Sequence, residues 1–303
     1  MTLIISNCSK RKRVPADPAL HARDLENGAP NAVAEAWVAR LKATTPSMSA
    51  SALYAGRAFF EARRTALDLG ASLAVVSAGL GLVDGETAVP SYSLTTARRD
   101  PDDILRKTTR GAADWWTALT ALSPFHCDAL ETETGPILAA LSSSYLALLA
   151  NDWGQWPVER QARLRLFTKE EPAALPEGLR QAWMPYDDRL DAAADGLAGT
   201  QSDFAQRALR HFAVVLRKRG SLDEDRAAVR HALDGFSARQ VPVRKRASDA
   251  DVQSAIRAHW DAVQGRSGAM LRHLRDDLGI ACEQGRFRTL FTTVAAERKG
   301  GDQ

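Results

Sequence analysis

Two short apolar runs punctuate the first half of the chain, "LIIS" at 3–6 and "LAVVSA" at 73–78. Each has strand length and gives way to small or polar residues, which predicts a buried strand opening into a turn. Between them the period changes to 3.6. "NAVAEAWVARLKA" (31–43) puts Val33, Trp37, Val38 and Leu41 on one face. A second helix, "RAFFEARRTALDLG", starts near Gly56 and stops at Gly70. Strand, helix, strand in this order predicts a parallel βαβ arrangement. The pattern recurs at "ILAAL" (137–141), with "SSS" and the apolar helix "YLALLANDW" behind it, and "ARLRLFT" (162–168) reads as a further strand. Residues 101–122 read as one helix with Asp102 and Asp103 at its positive N-terminus.

Beyond residue 200 the pattern is helical. "SDFAQRALRHFAVVLRKRG" (202–220) buries Phe204, Ala208, Phe212, Val215 and Leu216, and "EDRAAVRHALDGF" (224–236) follows. Residues 237–251 read as a linker, and three helices are expected at 249–264, 267–278 and 281–298. The expected architecture is an α/β domain over 1–200 with a parallel or mixed sheet flanked by helices. Helices over 201–240 pack on it, and an all-helical, helix-turn-helix-like module spans 249–300.

Composition narrows the function classes. The 303 residues are 45% hydrophobic and 25% charged, as in ordinary globular proteins. No apolar run reaches the roughly 20 residues of a membrane span, so no membrane partner is expected. Cations follow the first apolar segment instead of preceding it, unlike a signal peptide. Three scattered cysteines, Cys8, Cys127 and Cys282, fit a reducing cytoplasm better than a disulfide framework or a zinc site. Charge is uneven: residues 201–303 hold 19 Lys/Arg against 13 Asp/Glu, and residues 1–200 hold 21 against 24. The basic third is compatible with nucleic acid, and equally with solvated helix faces.

Candidate chemistry starts where the first strand ends, in "CSKRKR" (8–13). Ligands of open α/β sheets bind outside the carboxyl ends of the strands. Cys8 is there a candidate nucleophile, Ser9 a phosphate donor, and Lys10 and Lys12 counter-charges for phosphate or carboxylate. A buried thiol in a solvated basic turn is the competing reading. In "VVSAGLGLVDG" (75–85), Ser77, Gly79 and Gly81 form a bend suited to close approach of a ligand or to a tight structural turn. Neither a dinucleotide fingerprint nor a Walker loop is present, so no cofactor is expected; no metal motif occurs either. Ser143 and Ser144 open a helix, where they can bind an anion or simply cap it. Asp203, Arg207 and His211 share a helix face and read as a carboxylate, an anion clamp and an acid/base group, or as a surface ion-pair row. In the last third, Arg244, Lys245 and Arg246 form a candidate phosphate-contacting arm. Arg286 and Arg288 lie on a candidate recognition helix.

Four motifs taken in order carry a resemblance: Cys8-Ser9-x-x-Lys12 after a strand; Leu53-Tyr54-x-Gly56-x-x-Phe59; Ser77-Ala78-x-x-Gly81-Leu82-Val83; and Pro90 with Tyr92. The set, over residues 3–96, resembles an uncharacterised bacterial and phage domain family distantly similar to the YaaA peroxide-stress proteins. Some members of that family sit near base-modification and queuosine-type transglycosylase systems. The resemblance implies a small α/β domain that handles a nucleotide or nucleobase, with site roles for Cys8, Ser9, Lys12, Tyr54, Ser77, Gly81 and Tyr92. Arg57 joins them as a substrate-binding candidate. The sequence departs from the pattern at Ser91, which separates Pro90 from Tyr92, at Ser93, where an acidic residue is usual, and at Leu80. Asp203 and Asp84 are the candidate carboxylates. The expected function is a nucleotide- or base-handling enzyme cleaving or exchanging a glycosidic bond in DNA or RNA, in a modification or phage-defence context. The alternative is a non-catalytic nucleotide- or DNA-binding component of such a system. A homo-oligomer or an operon-encoded protein partner is compatible with either.

Overall fold

The computed structural model describes residues 1–301 apart from 128, 129, 131, 132, 194–196, 218, 219 and 239–242; the side chains of 299–301 are also left undescribed. Part of the expected linker therefore lies outside the described residues. The chain divides into two compact units, Met1–Arg239 and Gln240–Gln303.

The first unit is built on five strands: β1 (Leu3–Asn7), β2 (Ser72–Ser77), β3 (Gly81–Asp84), β4 (Ile137–Ala140) and β5 (Leu164–Phe167). Their order in the sheet is β3-β2-β1-β4-β5. β1 pairs in parallel with β2 on one side and β4 on the other, and β4 pairs in parallel with β5. β3 is antiparallel to β2, with Ser77 opposite Gly81. The expected sheet is present and is mixed: the bend at 78–80 is the tight structural turn, a hairpin that returns along β2. Ala78, Gly79 and Gly81 permit the reversal, and the apolar run continues into β3 as Leu82 and Val83, buried like their partners.

Two helical layers cover the sheet because its strands alternate. Leu3 and Ile5 of β1 belong to one core and Ile4 to the other. On the first face lie α1 (Pro30–Ala43), α3 (Ala112–Leu122) and α4 (Ser143–Trp153), packed around Trp37, Trp115 and Trp153. On the second lie α2 (Arg57–Leu69), α5 (Phe204–Arg210) and α6 (Leu222–Leu233), around Phe167, Phe204 and Phe212. The helix expected over 101–122 is shorter than its pattern: only α3 is α-helical. Asp103 caps a separate turn at Ile104–Arg106 through the Leu105 N–H. Asp102 accepts the backbone N–H and the guanidinium of Arg23 instead of facing a helix end. The helix expected over 202–220 continues past α5 as a π-helical stretch, His211–Leu216.

The second unit contains α7 (Asp249–Ala258), α8 (Ser267–Arg272) with a π-helical extension to Asp277, and α9 (Gln284–Gly301). Its own core is formed by Val252, Ile256, Met270, Leu274, Phe287 and Val294. A two-residue parallel pairing of Lys245–Arg246 with Ile280–Ala281 ties the basic arm to this unit. No described helix is long and apolar enough to cross a membrane.

One buried ion pair fastens β5 to α6. Arg165 donates from Nε to Asp225 at 2.7 Å and satisfies its other nitrogens on the Ala162, Leu164 and Gly220 carbonyls. Removing one partner of such a pair leaves a buried charge uncompensated. Asp225→Ala is expected to cost about 3 kcal/mol in urea unfolding, against well under 1 kcal/mol for Arg230→Ala at an exposed position of the same helix.

Candidate functional site

The chain leaves β3 on one flank of β1 and reaches β4 on the other, so the carboxyl end of β1 is the point where the sheet changes direction of growth. Asn7 stands in that crevice. Its side-chain amide donates to the Cys8 carbonyl at 3.1 Å, and its oxygen accepts from the Ser142 N–H at 3.3 Å. From the far side of the sheet Gln206 reaches Ser6 Oγ and the Ala140 carbonyl, linking the ends of β1 and β4.

Cys8 continues the ladder for one more residue, its N–H donating to the Val76 carbonyl at 2.9 Å, and its side chain turns inward at 4% exposure. The chain has four tyrosines, and three of them converge on this sulfur. Tyr145 Oη lies 3.0 Å from Sγ and Tyr92 Oη 3.7 Å; Tyr54 Oη lies 3.0 Å from Tyr92 Oη. Ser77 orients the group. Its oxygen accepts the N–H groups of Gly79 and Leu80 at 3.3 and 3.0 Å, so its own hydrogen goes to Tyr92 Oη at 2.6 Å. The Tyr92 hydrogen is then directed at Cys8. When the sulfur is a thiolate, Tyr145 donates to it as well. Burial pushes the phenols of Tyr54, Tyr92 and Tyr145 above their ordinary pKa, and the neighbouring Cys8 charge adds to it; all three remain donors.

Lys12 closes the group from above. Its Nζ lies 4.1 Å from the Tyr92 ring centroid and 5.7 Å from that of Tyr54. Its backbone is paired with Tyr54 in an antiparallel bridge. Half-burial lowers its pKa and the Cys8 charge opposes the shift. Gly79 is required by contact: a Cβ there would stand 2.7 Å from the Tyr92 ring, and its carbonyl accepts from Trp37 Nε1. Gly81 has φ +93° with His126 packed against it, so both glycines serve the hairpin and the seating of Tyr92.

The other candidates are placed differently. Ser9 Oγ donates to the Arg11 and Ala55 carbonyls and braces the turn. Lys10 pairs with Asp100 on the surface. Ser143 and Ser144 are exposed at the start of α4, the former bonded to Glu170. Asp203 and Arg207 are 2% exposed and paired at 2.8 Å, so they form no surface row. Arg207 also holds Asp191 and the Leu197 and Thr200 carbonyls, while Asp203 accepts the Thr200 N–H and faces Arg57 at 3.1 Å. These contacts fasten the segment before α5. His211 pairs with Tyr186 in the second core, its pKa lowered by burial. Asp84 is opposite Ala74, toward the amino end of β2 and away from the rim. In the second unit Arg244 and Arg286 are bound to Asp276 and Asp249, whereas Lys245, Arg246 and Arg288 are exposed and have no side-chain partner among the described residues. Arg244, Arg246, Arg275 and Arg286 line a cleft of about 530 Å³. Among the described residues no group of three or more His, Cys, Asp or Glu is arranged to hold a metal ion.

Tyr145 and Asp102 were not among the candidates. Tyr145 follows directly on "SSS" in an otherwise apolar helix, and a buried phenol needs a partner. Asp102 binds Arg23 and Ser93, and its charge acts on Lys12.

Fold and site together define a mixed α/β sheet domain with a thiol, phenol and amine cluster at its central carboxyl rim. Comparison with family models, with curated proteins and with solved structures finds no match for this chain.

Tyr92→Phe leaves the Ser77 hydroxyl without its buried acceptor. It is expected to cost about 2 kcal/mol in denaturant unfolding with the fold retained. Asp102 gives a pH-dependent counterpart. Burial alone would raise its pKa, but the Arg23 and Ser93 hydrogen bonds outweigh burial and bring it from 3.8 to about 2. Its contribution is complete above pH 4 and is lost as pH falls toward 2; Asp102→Asn should remove that part of the acid dependence in thermal unfolding between pH 2 and 5.

Proposed function

We propose that the chain is an enzyme acting on a nucleotide, or on a base within DNA or RNA, with Cys8 as nucleophile. The observation that carries the reading is the buried sulfur facing two phenolic hydroxyls beside a half-buried lysine. Two donors stabilise negative charge on sulfur, and a lysine with lowered pKa can accept the thiol proton. No carboxylate is hydrogen-bonded to this group among the described residues, so attack on a sugar carbon falls to Cys8. In the proposed cycle Lys12 takes the Cys8 proton and the thiolate bonds to the anomeric carbon. The carbon–nitrogen bond breaks with its electron pair on the base, which takes a proton from Lys12. Water or a second base then bonds to the same carbon as the carbon–sulfur bond breaks; Lys12 takes the proton that the incoming group loses and returns it to the departing thiolate, giving hydrolysis or exchange and the starting Cys8 thiol. Tyr54 and Tyr92, both buried, act on the sulfur and on Lys12: their hydroxyls join the hydrogen-bonded group and their rings seat the amine. The resemblance to a family found near base-modification systems supports the same substrate class.

The binding-component reading is favoured by one feature: among the described residues no carboxylate is hydrogen-bonded to the Cys8 group, whose partners are phenols. Mass spectrometry of nucleotides, DNA and RNA incubated with wild type and with Cys8→Ala separates the two. Free base released by wild type and lost in Cys8→Ala is the expected result. Release that survives the substitution removes Cys8 as nucleophile, and unchanged masses throughout favour the binder.

A further inference from the structure

The turn that carries Cys8 and Lys12 also has an outer face. Residues 11–13 run extended against Leu53–Ala55: Lys12 bridges Tyr54, the Arg13 N–H donates to the Leu53 carbonyl and the Ala55 N–H to the Arg11 carbonyl. Side chains alternate along such a pairing. Lys12 therefore points in over Tyr92, and Arg11 and Arg13 point out. Outside, they line a cleft of about 290 Å³ with Arg57, Arg63 and Phe60. Among the described residues no acidic one lines it.

Arg57 is engaged by Asp203 and the Ala198 carbonyl. The guanidiniums of Arg11, Arg13 and Arg63 have no side-chain or carbonyl partner among the described residues. Three cations gathered round one hollow with no counter-ion repel one another unless an anion is supplied. The hollow also abuts the start of α2, a 13-residue helix whose cap makes no side-chain hydrogen bond, so N–H groups of the first turn are available to the same anion. Phe60 is 54% exposed on this rim, although its neighbour Phe59 is buried. An exposed ring among unpaired guanidiniums is the pairing by which single strands are held, phosphates on cations and a base on the ring. Tyr54 joins the two sides: it lines the cleft, and its hydroxyl bonds Tyr92 beside Cys8.

The geometry points to a single-stranded nucleic acid as the ligand of this cleft, its phosphates on Arg11, Arg13 and Arg63 and a base on Phe60, next to the Cys8 group. This deepens the proposed function by naming the substrate as a strand and not a free nucleotide.

The test is fluorescence anisotropy of a labelled oligothymidylate with the full chain, in 50–200 mM salt, for wild type, R11A/R13A, R11A/R13A/R63A and F60A. Arg11 and Arg13 are exposed, so the double variant remains informative where the triple one loses thermal stability. The triple variant should bind at least 10-fold more weakly, and its slope of log affinity on log salt should be shallower by about 2. Phe60→Ala should weaken binding about 5-fold or more. Thymidine monophosphate should compete only at far higher concentration than the strand. Wild-type affinity and slope in the arginine variants would overturn the cleft and place strand binding elsewhere, and equal competition by the mononucleotide would overturn the strand. Arginine-dependent binding without base release by wild type would uphold the cleft and remove the enzymatic reading.

Discussion

The hydroxyl of Tyr92 cannot be left unpaired. It is buried, and a buried phenol without a partner costs as much as a lost hydrogen bond or more. Three segments distant in sequence meet to satisfy it: Ser77 from the end of β2, Tyr54 from the stretch before α2, and Cys8 from the end of β1. The two N–H groups that Ser77 accepts fix the sense of the hydrogen bonds, so the direction of donation at the sulfur is set by the backbone of the β2–β3 hairpin. A change in that hairpin is therefore a change in the electrostatics at Cys8. Gly79 shows the same dependence sterically, because a side chain there would displace the Tyr92 ring.

The sheet explains why these segments meet at all. Strands β2, β1 and β4 run in parallel, so their carboxyl ends lie at one rim, and β1 is the strand from which the sheet extends both ways. Each side contributes to the site: β2 supplies Ser77, β1 supplies Cys8, and the helix after β4 supplies Tyr145. Gln206 arrives through the other layer and ties the ends of β1 and β4 at Ser6 and Ala140. The rim is thus held from both faces, which keeps a polar group in register inside an otherwise apolar interior.

Much of this was legible because burial and period coincide. The runs at 3–6, 73–78 and 137–141 are apolar on both faces, as central parallel strands are, and α1 and α2 keep their 3.6-residue spacing. Of the residues in the ordered motifs, Cys8, Lys12, Tyr54, Ser77 and Tyr92 lie together, whereas Ser9 braces its turn and Gly81 shapes the hairpin. The hairpin after Ser77 was harder to read, since "AGLGLVDG" is compatible with a ligand loop and the register that turns it back is a tertiary property. Asp203 and Arg207 share a helix face in either reading, but helical spacing does not say whether that face meets substrate or a neighbouring segment; here it holds Thr200 and Asp191. Tyr145 shows the converse limit. Its phenol lies 137 residues from the sulfur it meets, and local pattern carries no information at that range.

The cations that follow the first strand have one physical account. A segment that closes a polar interior and also forms a surface must alternate, because adjacent side chains of extended backbone face opposite ways. Lys12 is the inward residue, and its charge is tolerated there by the Tyr92 ring and the Cys8 sulfur. Arg11 and Arg13 are the outward ones, where a guanidinium presents planar donors to solvent. The choice of amine inside and guanidinium outside fits the two environments: an amine can yield its proton as it is desolvated, and a guanidinium cannot. A single short turn can in this way carry proton chemistry on one side and a fixed positive field on the other, with only the Tyr54 ring and backbone between them.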